Sequence, residues 1–476
     1  MSEDTKTARA PIKGEIDAVV VGAGFSGMYM LHKLRELGLK AQGFDKASDV
    51  GGTWYWNRYP GARFDSESYS YGYSFSPELL QEWDWSEHFA GQPETLRYLQ
   101  HVARKFDLKR DITFNTRVTG ARFDEENNRW IISTDTGGTY SADFLIAAVG
   151  CLSSANVPQI AGLETFKGAC YHTGNWPHDG VDFAGKRVGQ IGTGSTGIQT
   201  APVIAQSARH LVVFQRTANY SVPARNAPLS PQDIEELAKN DDVYRDMMLS
   251  NANGHPFTIM DRSVFDVDAE ERRAIYEAAW KRGGLQFRAV FRDLMASKEA
   301  NDTAAEFIRE KIRQTVKDPE TARKLSEIDH PYAAKRPPID TDYFETFNRP
   351  NVTLVDLRAD PIVEVVAEGI RTQSQMHPLD IIVFATGFDA LTGPLLKLNI
   401  VGKRGLALSE AWQAGPRTYL GLQIPEFPNL FTVTGPGSPS VLTNMPVAIE
   451  QHVEWITDCI AHMQRKGLRR VEAEPD

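Results

Sequence analysis

Apolar runs and glycine-rich turns predict two strand–turn–helix units of the same kind in this chain. The first begins with the buried strand IDAVVV at 16–21, continues into the turn GAGFSG at 22–27, and ends in a helix that stops at Gly38. The second has an apolar strand that ends at Ile191, the turn GTGSTG at 192–197, and a helix with one apolar face. Glycines at this spacing let the backbone turn tightly and approach a pyrophosphate at the helix N-terminus. The pattern therefore predicts an α/β fold with two Rossmann-like dinucleotide-binding domains.

The residues that end the following strand differ in charge between the two units. After the first turn the next strand ends at Asp45, 18 residues past Gly27, where a carboxylate can bind a ribose hydroxyl. After the second turn the next strand ends at Arg216 and Thr217, and a cation there suits a ribose 2′-phosphate. One such turn is a weak signal, but two turns with strand ends of opposite charge indicate two different dinucleotides. We expect FAD in the first unit and NADPH in the second.

A repeated pattern marks where the chain is expected to cross between the two domains. DFLIAAVG at 143–150 and DIIVFATG at 380–387 each combine an aspartate, an apolar strand and a closing glycine. We therefore predict a disordered tail at 1–15, an FAD-binding domain at 16–150 and 385–476, an NADP-binding domain at 151–223 (with a linker at 151–185) and 333–384, and a helical insertion at 224–332.

The insertion carries its own helix signals. Ser230 before Pro231, and Asp268 three residues before Glu271, are predicted N-caps, and the glycines at 283–284 are predicted to end a helix. We interpret this charged segment as a cover over the site and not as an independent domain.

Composition narrows the classes of protein and of partner. A chain of 476 residues is too long for one core, and its net charge of −10 argues against nucleic acid or an anionic membrane as the main partner. Cys151, Cys170 and Cys459 stand apart, which disfavours a disulfide framework and a zinc site, so we expect no metal. The polar N-terminus lacks the apolar stretch of a signal peptide, and no run approaches the roughly 18 apolar residues of a spanning helix. We expect a soluble cytoplasmic protein.

One stretch goes beyond nucleotide binding. FKGACYHTGNWP at 166–177 fits the pattern F-x-G-x-x-x-H-x-x-x-W-P, and the segments at 51–65, 334–352, 385–390 and 435–446 fit further signatures of the same family. The matching residues of the first pattern are Phe166, Gly168, His172, Trp176 and Pro177. Over essentially its whole length the chain resembles the type I Baeyer–Villiger monooxygenases of the flavin-containing monooxygenase superfamily, nearest the phenylacetone and cyclohexanone monooxygenase group.

The resemblance implies roles for individual residues. Arg336 corresponds to the catalytic arginine and Asp65 to the carboxylate that supports it. Lys335, Arg216 and Thr217 match the residues around the NADP 2′-phosphate. The cofactor-binding residues that the two turns and the resemblance imply are Gly22, Gly24, Phe25, Ser26, Gly27, Asp45, Lys46, Gly52, Thr53, Trp54, Tyr59, Asp65, Val118, Gly192, Thr193, Gly194, Ser195, Thr196, Gly197, Gln199, Arg216, Thr217, Lys335, Asn444 and Met445.

The resemblance also implies a reaction. NADPH would reduce FAD, the reduced flavin would add O₂ as a C4a-peroxyflavin, and this would insert oxygen next to a ketone carbonyl to give an ester or lactone. A permanently charged arginine would stabilise the anions of such a reaction without donating its proton. The substrate partners would be a ketone and O₂, and relatives of this kind are frequently monomers.

Three alternatives stay open at this stage. A nitrogen- or sulfur-oxidising flavin monooxygenase carries a similar signature but usually lacks the Trp-Pro at its end. A flavin disulfide reductase would need a C-x-x-C pair, which is missing here. The chain also ends at Asp476, where family members continue, so we expect it to be C-terminally truncated relative to them, and the third alternative is a truncated form that acts only as an NADPH oxidase or is inactive.

Two further stretches invite a catalytic interpretation that we do not favour. His172 lies in the predicted linker without an obvious nucleophile, so we expect it to hold the linker by hydrogen bonds. The aromatic residues of YSYGYSFS at 69–76 alternate at strand spacing, and we expect them to contribute to the core and not to form a substrate cage.

Overall fold

A computed structural model describes residues 12–475 of the chain. The strands are β1 (Ile12–Val21), β2 (Ala41–Phe44), β3 (Ile112–Thr113), β4 (Val118–Asp124), β5 (Arg129–Thr134), β6 (Thr139–Ala147), β7 (Ala169–His172), β8 (Arg187–Ile191), β9 (His210–Gln215), β10 (Val222–Pro223), β11 (Ile339–Asp340), β12 (Val352–Asp356), β13 (Ile362–Val366), β14 (Gly369–Thr372), β15 (Met376–Pro378), β16 (Ile381–Phe384), β17 (Ile400–Val401) and β18 (Leu430–Thr432).

Helices connect these strands and form most of the segment 231–326. They are α1 (Phe25–Glu36), α2 (Thr53–Trp56), α3 (Pro77–Glu82), α4 (Gln92–Lys105), α5 (Ser195–Ser207), α6 (Pro231–Lys239), α7 (Asp241–Ser250), α8 (Ala269–Arg282), α9 (Lys298–Thr315), α10 (Pro319–Ser326), α11 (Tyr343–Thr346), α12 (Gly393–Leu396), α13 (Leu408–Ala411) and α14 (Met445–Lys466). The predicted α/β fold class is confirmed, with parallel sheets and helices in both halves of the molecule.

The described chain divides into two compact units, each built from separate stretches of sequence. The first comprises 12–55, 96–154 and 389–475, and the second comprises 56–95 and 155–388. The chain thus changes unit a few residues after each of the two repeated patterns. The segment 56–95 belongs to the second unit, whereas the predicted domain limits kept it with 16–150. Residues 1–11 of the predicted disordered tail lie outside the described residues, whereas residues 12–15 belong to β1, so the tail was predicted to extend too far.

The first unit is organised around a mixed sheet in the order β17-β4-β5-β6-β1-β2-β3, with β18 also paired to β6. β1 runs parallel to β2 and to β6, so the carboxyl ends of these strands meet at one edge. Their apolar side chains are fully covered: Val19, Val20 and Leu145 have no exposed surface. This burial on both faces explains the continuous apolar run that predicted β1.

The second unit contains an all-parallel sheet in the order β12-β9-β8-β16-β7. β8 lies between β9 and β16, which places the turn after Ile191 at the centre of the sheet edge. A separate two-stranded pair joins β10 to β11 in parallel register, Val222 opposite Ile339. That pairing brings the chain around 339 next to the chain around 222, which are far apart in sequence.

The helix signals of the predicted insertion are present in the structure. Ser230 and Asp233 form a reciprocal capping box at the start of α6, and Asp268 accepts backbone hydrogen bonds at the start of α8. α8 ends at Gly283, whose φ of +78° favours glycine. Glu271 does not return to its N-cap; its carboxylate pairs with Arg262 instead.

The aromatic segment at 69–76 contributes only in part to the core. The described chain has a short 3-10 turn at Ser68–Ser70 there and no strand. Tyr73 is fully buried, as expected of a core residue, while Tyr69, Tyr71 and Phe75 are half-buried. Alternation of aromatic residues at strand spacing therefore does not produce a strand in this segment.

The described residues include no helix long and apolar enough to cross a bilayer. The three cysteines carry free thiols, one buried, one exposed and one between these extremes.

Candidate active site

The first glycine turn is closed by backbone contacts that exclude side chains. Gly22 has φ +109°, and a Cβ there would lie 2.5 Å from the carbonyl oxygen of Ala148. A Cβ on Gly27 would lie 1.8 Å from the carbonyl oxygen of Gly22. A Cβ on Gly24 would meet the Cα of Gly52 at 3.3 Å, so two residues of the predicted FAD set do come together.

Asp45 is held by the backbone at the end of β2. One carboxylate oxygen accepts from the amide of Ala23 (2.7 Å) and the other from the amide of Ala47 (2.8 Å). Burial raises the pKa of Asp45, and the two amide hydrogen bonds work against that rise. The carboxylate therefore ties the end of β2 to the glycine turn.

The remaining residues predicted around FAD lie in or beside the first unit. Phe25 and Ser26 are buried in the first turn of α1, Thr53 and Trp54 begin α2, and Val118 begins β4. Lys46 follows Asp45 on the surface, while the buried Asn444 and its neighbour Met445 form the start of α14. Their shared role at a flavin stays a prediction.

The second glycine turn has the same backbone geometry and a more open middle. Gly192 has φ +111°, and a Cβ there would lie 2.3 Å from the carbonyl oxygen of Ala385. A Cβ on Gly197 would lie 2.3 Å from the carbonyl oxygen of Gly192, whereas a Cβ on Gly194 would have nothing within 4 Å. Ser195 and Thr196 start α5.

The strand end beside this turn carries more than one cation. The hydroxyl of Thr193 donates to the carbonyl oxygen of Thr217 (2.9 Å), which fixes the turn to the end of β9. Arg216 and Lys335 are exposed. Arg358, which the sequence analysis missed, follows the neighbouring strand β12 and donates to the hydroxyl of Thr217 (3.4 Å). Its position after a parallel neighbour of β9 is a signal that could have identified it.

The backbone amides at the helix N-termini suit both glycine turns to the pyrophosphate of a dinucleotide. Neither α1 nor α5 has a side chain that caps its first amides, so these donors face the glycine turns without a competing acceptor from an N-cap residue. The middle glycine of the second turn leaves open space of the kind that a close pyrophosphate requires.

Tyr59 and Gln199 connect the segment after α2 to α5. The hydroxyl of Tyr59 donates to the side-chain oxygen of Gln199 (2.8 Å), and the Gln199 amide donates to the carbonyl oxygen of Arg63 (3.0 Å). Asp65 follows two residues later. The helix that starts at the second glycine turn therefore also positions the backbone that carries Asp65.

Arg336 and Asp65 form a two-pronged ion pair within the second unit. Nε and Nη2 of Arg336 donate to the two carboxylate oxygens of Asp65 at 2.7 and 2.8 Å, across 271 positions of sequence. Only 19% of the arginine side chain and 24% of the aspartate side chain are exposed. Burial alone would raise the pKa of Asp65, but the attraction and hydrogen bonds of Arg336 outweigh it and the pKa is lowered. The pair is thus ionised and rigid.

Three more polar side chains surround this pair, and the sequence analysis missed all of them. His255 is fully buried, and burial together with the charge of Arg336 lowers its pKa to about 3. Burial and the same charge lower the pKa of Arg288. Burial raises the pKa of Glu67, and the charge of Asp65 adds to the rise. No motif marks these residues, because they come from loops and turns far apart in the chain.

The family pattern at 166–177 forms the edge of the parallel sheet. A Cβ on Gly168 would lie 2.4 Å from the carbonyl oxygen of Asp380 and 2.5 Å from the ring of Phe166, so only glycine fits beside β16. Trp176 is buried against Tyr171, and Pro177 follows it. This part of the pattern is explained by packing alone.

His172 is occupied by contacts of the linker. Its Nδ1 accepts from the amide of Gly174 (2.9 Å), and its Nε2 lies 3.4 Å from the hydroxyl of Thr386. Burial lowers its pKa. These contacts are consistent with the structural role expected for it.

Comparison with known proteins identifies the family. The flavin-binding monooxygenase-like family matches residues 16–234. A Baeyer–Villiger monooxygenase of Pseudooceanicola batsensis is 46% identical over 99% of this chain and 86% of its own length. A phenazine N-monooxygenase of Lysobacter antibioticus is 46% identical over 97% of this chain and 85% of its own length. The solved structure of an oxidised steroid monooxygenase bound to NADP is 54% identical, with a TM-score of 0.94 over 97% of this chain and 88% of that chain.

These comparisons match 85–88% of the length of each compared protein and do not show the expected C-terminal truncation. The identity to these relatives extends over nearly the whole chain. This chain belongs to the Baeyer–Villiger monooxygenases, within the flavin-binding monooxygenase-like proteins.

Proposed function

We propose that this protein uses FAD, NADPH and O₂ to insert one oxygen atom next to a ketone carbonyl, giving an ester or lactone. The observation that carries this function is the buried, two-pronged Arg336–Asp65 pair in a member of this family. When bound, the two dinucleotides supply a hydride and the activation of O₂. We assign FAD to the turn at 22–27 and NADPH to the turn at 192–197.

The role of Arg336 follows from the charge that the reaction develops. Attack on a ketone carbon converts its carbonyl oxygen into an oxyanion, and a preorganised cation lowers the energy of that state. A guanidinium stays protonated at any physiological pH, so it supplies charge without transferring its own proton. Asp65 binds one edge of the guanidinium, through Nε and Nη2, and so fixes the direction in which its other N–H groups point.

Arg216 and Lys335 are the side chains that we propose for the 2′-phosphate of NADPH. Both are exposed at the surface of the second unit, and Arg216 lies at the end of β9 beside the glycine turn. A guanidinium binds phosphate with paired hydrogen bonds. Arg358 donates to Thr217 at the same strand end and is a further candidate.

We also propose a cytoplasmic monomer. Three unpaired cysteines fit a reducing compartment, and the net charge of −10 opposes binding to nucleic acid or to an anionic membrane surface.

The test compares two arginines with the same pairing geometry. FAD-loaded protein is incubated with NADPH, isotopically labelled O₂ and a neutral aryl ketone, and ester, hydrogen peroxide and NADPH consumption are quantified. Arg336→Ala is expected to reduce ester formation by roughly 100-fold or more while NADPH oxidation continues, because only the oxygen transfer loses its cation. Arg336→Lys should restore part of the activity at most.

Arg187→Ala is the matched control. Arg187 binds Asp380 with the same two-pronged geometry (3.1 and 2.7 Å), but at the start of β8 and half-exposed. The Arg187→Ala variant should leave the ester yield unchanged. The proposed function fails if the wild-type protein consumes NADPH with all reducing equivalents appearing as hydrogen peroxide, or if, in a parallel incubation to which phenazine is added, phenazine and not the ketone receives the labelled oxygen.

A further inference from the structure

Arg288 is half-buried, and no carboxylate of the described chain forms an ion pair with its guanidinium. It lies in the 3-10 turn Leu285–Ala289, between the buried side chains of Phe287 and Ala289. Its Nη2 is shielded from solvent and has no hydrogen-bond partner in the described part of the chain, nor does its guanidinium form an ion pair there. Buried arginine heads are normally paired, because leaving a charge unpaired inside a protein is costly.

The nearest carboxylates are committed elsewhere or are poor partners. Asp65 gives both of its oxygens to Arg336. Glu67 accepts a long hydrogen bond from Gln286 (3.5 Å) through one oxygen, and its other oxygen is buried without a partner among residues 12–475. Burial raises the pKa of Glu67, which disfavours the charge that Arg288 would need beside it. The polar groups here therefore do not satisfy one another.

His255 shows the same deficit and contacts the same Phe257 ring as Arg288. Its imidazole is fully buried and stacks on the Phe257 ring (5.3 Å between centroids), while the Arg288 guanidinium lies 5.9 Å from that ring. Neither ring nitrogen of His255 has a hydrogen-bond partner in the described chain. A neutral imidazole offers one donor and one acceptor, and buried groups of this kind are usually paired.

The backbone holds both residues in place. Asn251 donates to the carbonyl oxygen of His255 (2.7 Å) and accepts from its amide (3.4 Å). Ahead of Arg288, the amide of Gly284 donates to the carbonyl oxygen of Pro223 (2.9 Å), and a Cβ on Gly284 would meet the ring of Phe89 at 3.2 Å. Two unpaired polar groups on fixed backbone form a preorganised binding site and not a mobile surface.

We infer that Arg288 and His255 form a subsite beside the Arg336–Asp65 pair that binds a carboxylate on the substrate, so that the preferred substrates are oxo acids. A carboxylate offers the guanidinium two parallel hydrogen bonds and cancels its charge. The remaining lone pairs of the carboxylate oxygens can accept a hydrogen bond from the N–H group of the neutral imidazole. This inference rests on the proposed function, since Arg336 must then lie near the ketone group of the same molecule.

Binding separates this inference from the activity itself. The oxidised, FAD-loaded protein with NADP⁺ is titrated calorimetrically with a series of linear oxo acids of increasing chain length and with their methyl esters. The ester keeps the shape and the ketone but lacks the charge. Wild-type protein is expected to bind the best acid at least about tenfold more tightly than its ester, since hydrogen bonds to charged groups contribute that much.

Substitutions locate the origin of that preference. Arg288→Leu should remove the preference for acid over ester, roughly a 10- to 100-fold change in the ratio, and leave ester binding unchanged. His255→Phe keeps the stack on Phe257 and should reduce acid binding by about three- to tenfold. Arg292→Leu is the control, because Arg292 is an exposed residue of the same segment that pairs with Asp261.

The melting temperature of each variant shows whether a loss of binding is caused by misfolding. Removing an unpaired, half-buried charge should leave the melting temperature of Arg288→Leu equal to or above that of the wild type. The inference is overturned if the wild type binds acid and ester equally, if Arg288→Leu weakens both by the same factor, or if it weakens NADP⁺ instead. Turnover of the neutral aryl ketone reports on the proposed function independently of each of these results.

Discussion

The turns at 22–27 and 192–197 share their glycine spacing but differ in what surrounds them. In both, the first glycine has φ near +110° and faces a carbonyl oxygen, and the third glycine packs on the first. The middle glycines differ, because Gly24 faces Gly52 whereas Gly194 faces open space. At the neighbouring strand ends, Asp45 is buried and bound to two amides while Arg216 is exposed. Glycine spacing thus specifies the backbone turn, and the residues around it differentiate the two sites.

The largest expected effect comes from replacing the first glycine of each turn, whose geometry the two turns share. Gly22→Ala and Gly192→Ala each place a methyl group about 2.5 Å from a carbonyl oxygen, or closer, at a positive φ. We expect each to destabilise its own unit by on the order of 3 kcal/mol or more. FAD retention on gel filtration should fail for the first variant and NADP⁺ binding for the second, with denaturant unfolding measured for both.

Two other glycines distinguish the cost of a positive φ from the cost of a steric clash with a carbonyl oxygen. Gly38 and Gly180 have φ +73° and +75° but nothing within 4 Å of a Cβ. Their alanine variants should cost only about 1 kcal/mol, from strain alone. Equal losses at Gly192 and Gly180 would show that the carbonyl contact does not constrain the second turn.

The next largest effect is expected from substitutions at the two strand ends, which differ in charge and in burial. Asp45→Ala leaves two buried amides without an acceptor, which should cost about 2–4 kcal/mol, while Asp45→Asn keeps one acceptor and should cost less. Arg216→Ala removes an exposed side chain and should change stability by no more than about 0.5 kcal/mol. It should instead raise the KM for NADPH by roughly 10-fold or more without a matching change for NADH.

Unfolding curves and steady-state kinetics with both coenzymes check this contrast. Wild-type stability in Asp45→Ala would mean that the carboxylate does not hold the first turn. An equal loss of NADPH and NADH use in Arg216→Ala would rule out its role at the 2′-phosphate.

The smallest effect concerns the middle glycines. Both have negative φ, so alanine fits the backbone at either position. Gly24→Ala brings a methyl to 3.3 Å from Gly52 and should cost about 1 kcal/mol. Gly194→Ala should be neutral or slightly stabilising, yet weaken NADP⁺ by about tenfold because the methyl enters the open space. Thermal unfolding measures the stability of both variants, and NADP⁺ titration measures their affinity for the coenzyme. Unchanged NADP⁺ affinity in Gly194→Ala would contradict the proposal that the pyrophosphate lies close to Gly194.

Local signals in the sequence were reliable where a residue acts through its own neighbours. The strands that lead into both turns, the caps at Ser230 and Asp268 and the helix end at Gly283 are all present as predicted. The aromatic segment at 69–76 was expected in the core, but its backbone forms a 3-10 turn and no strand, and Tyr73 is the one fully buried residue among its four aromatic side chains. The interruption of the first unit by 56–95 has no local signal at all, since it is defined by where those residues pack.

The sequence alone determined the parts of this protein that depend on backbone geometry over a few residues. These are the two glycine turns, the charge at the end of each following strand and the family pattern at 166–177. Tertiary structure alone decided the composition of the polar cluster. Asp65, His255, Arg288 and Arg336 come from four separate segments, and Arg336 bonds a carboxylate 271 positions away. Electrostatic contacts of this kind depend on distance in space, and no spacing along the chain encodes that distance.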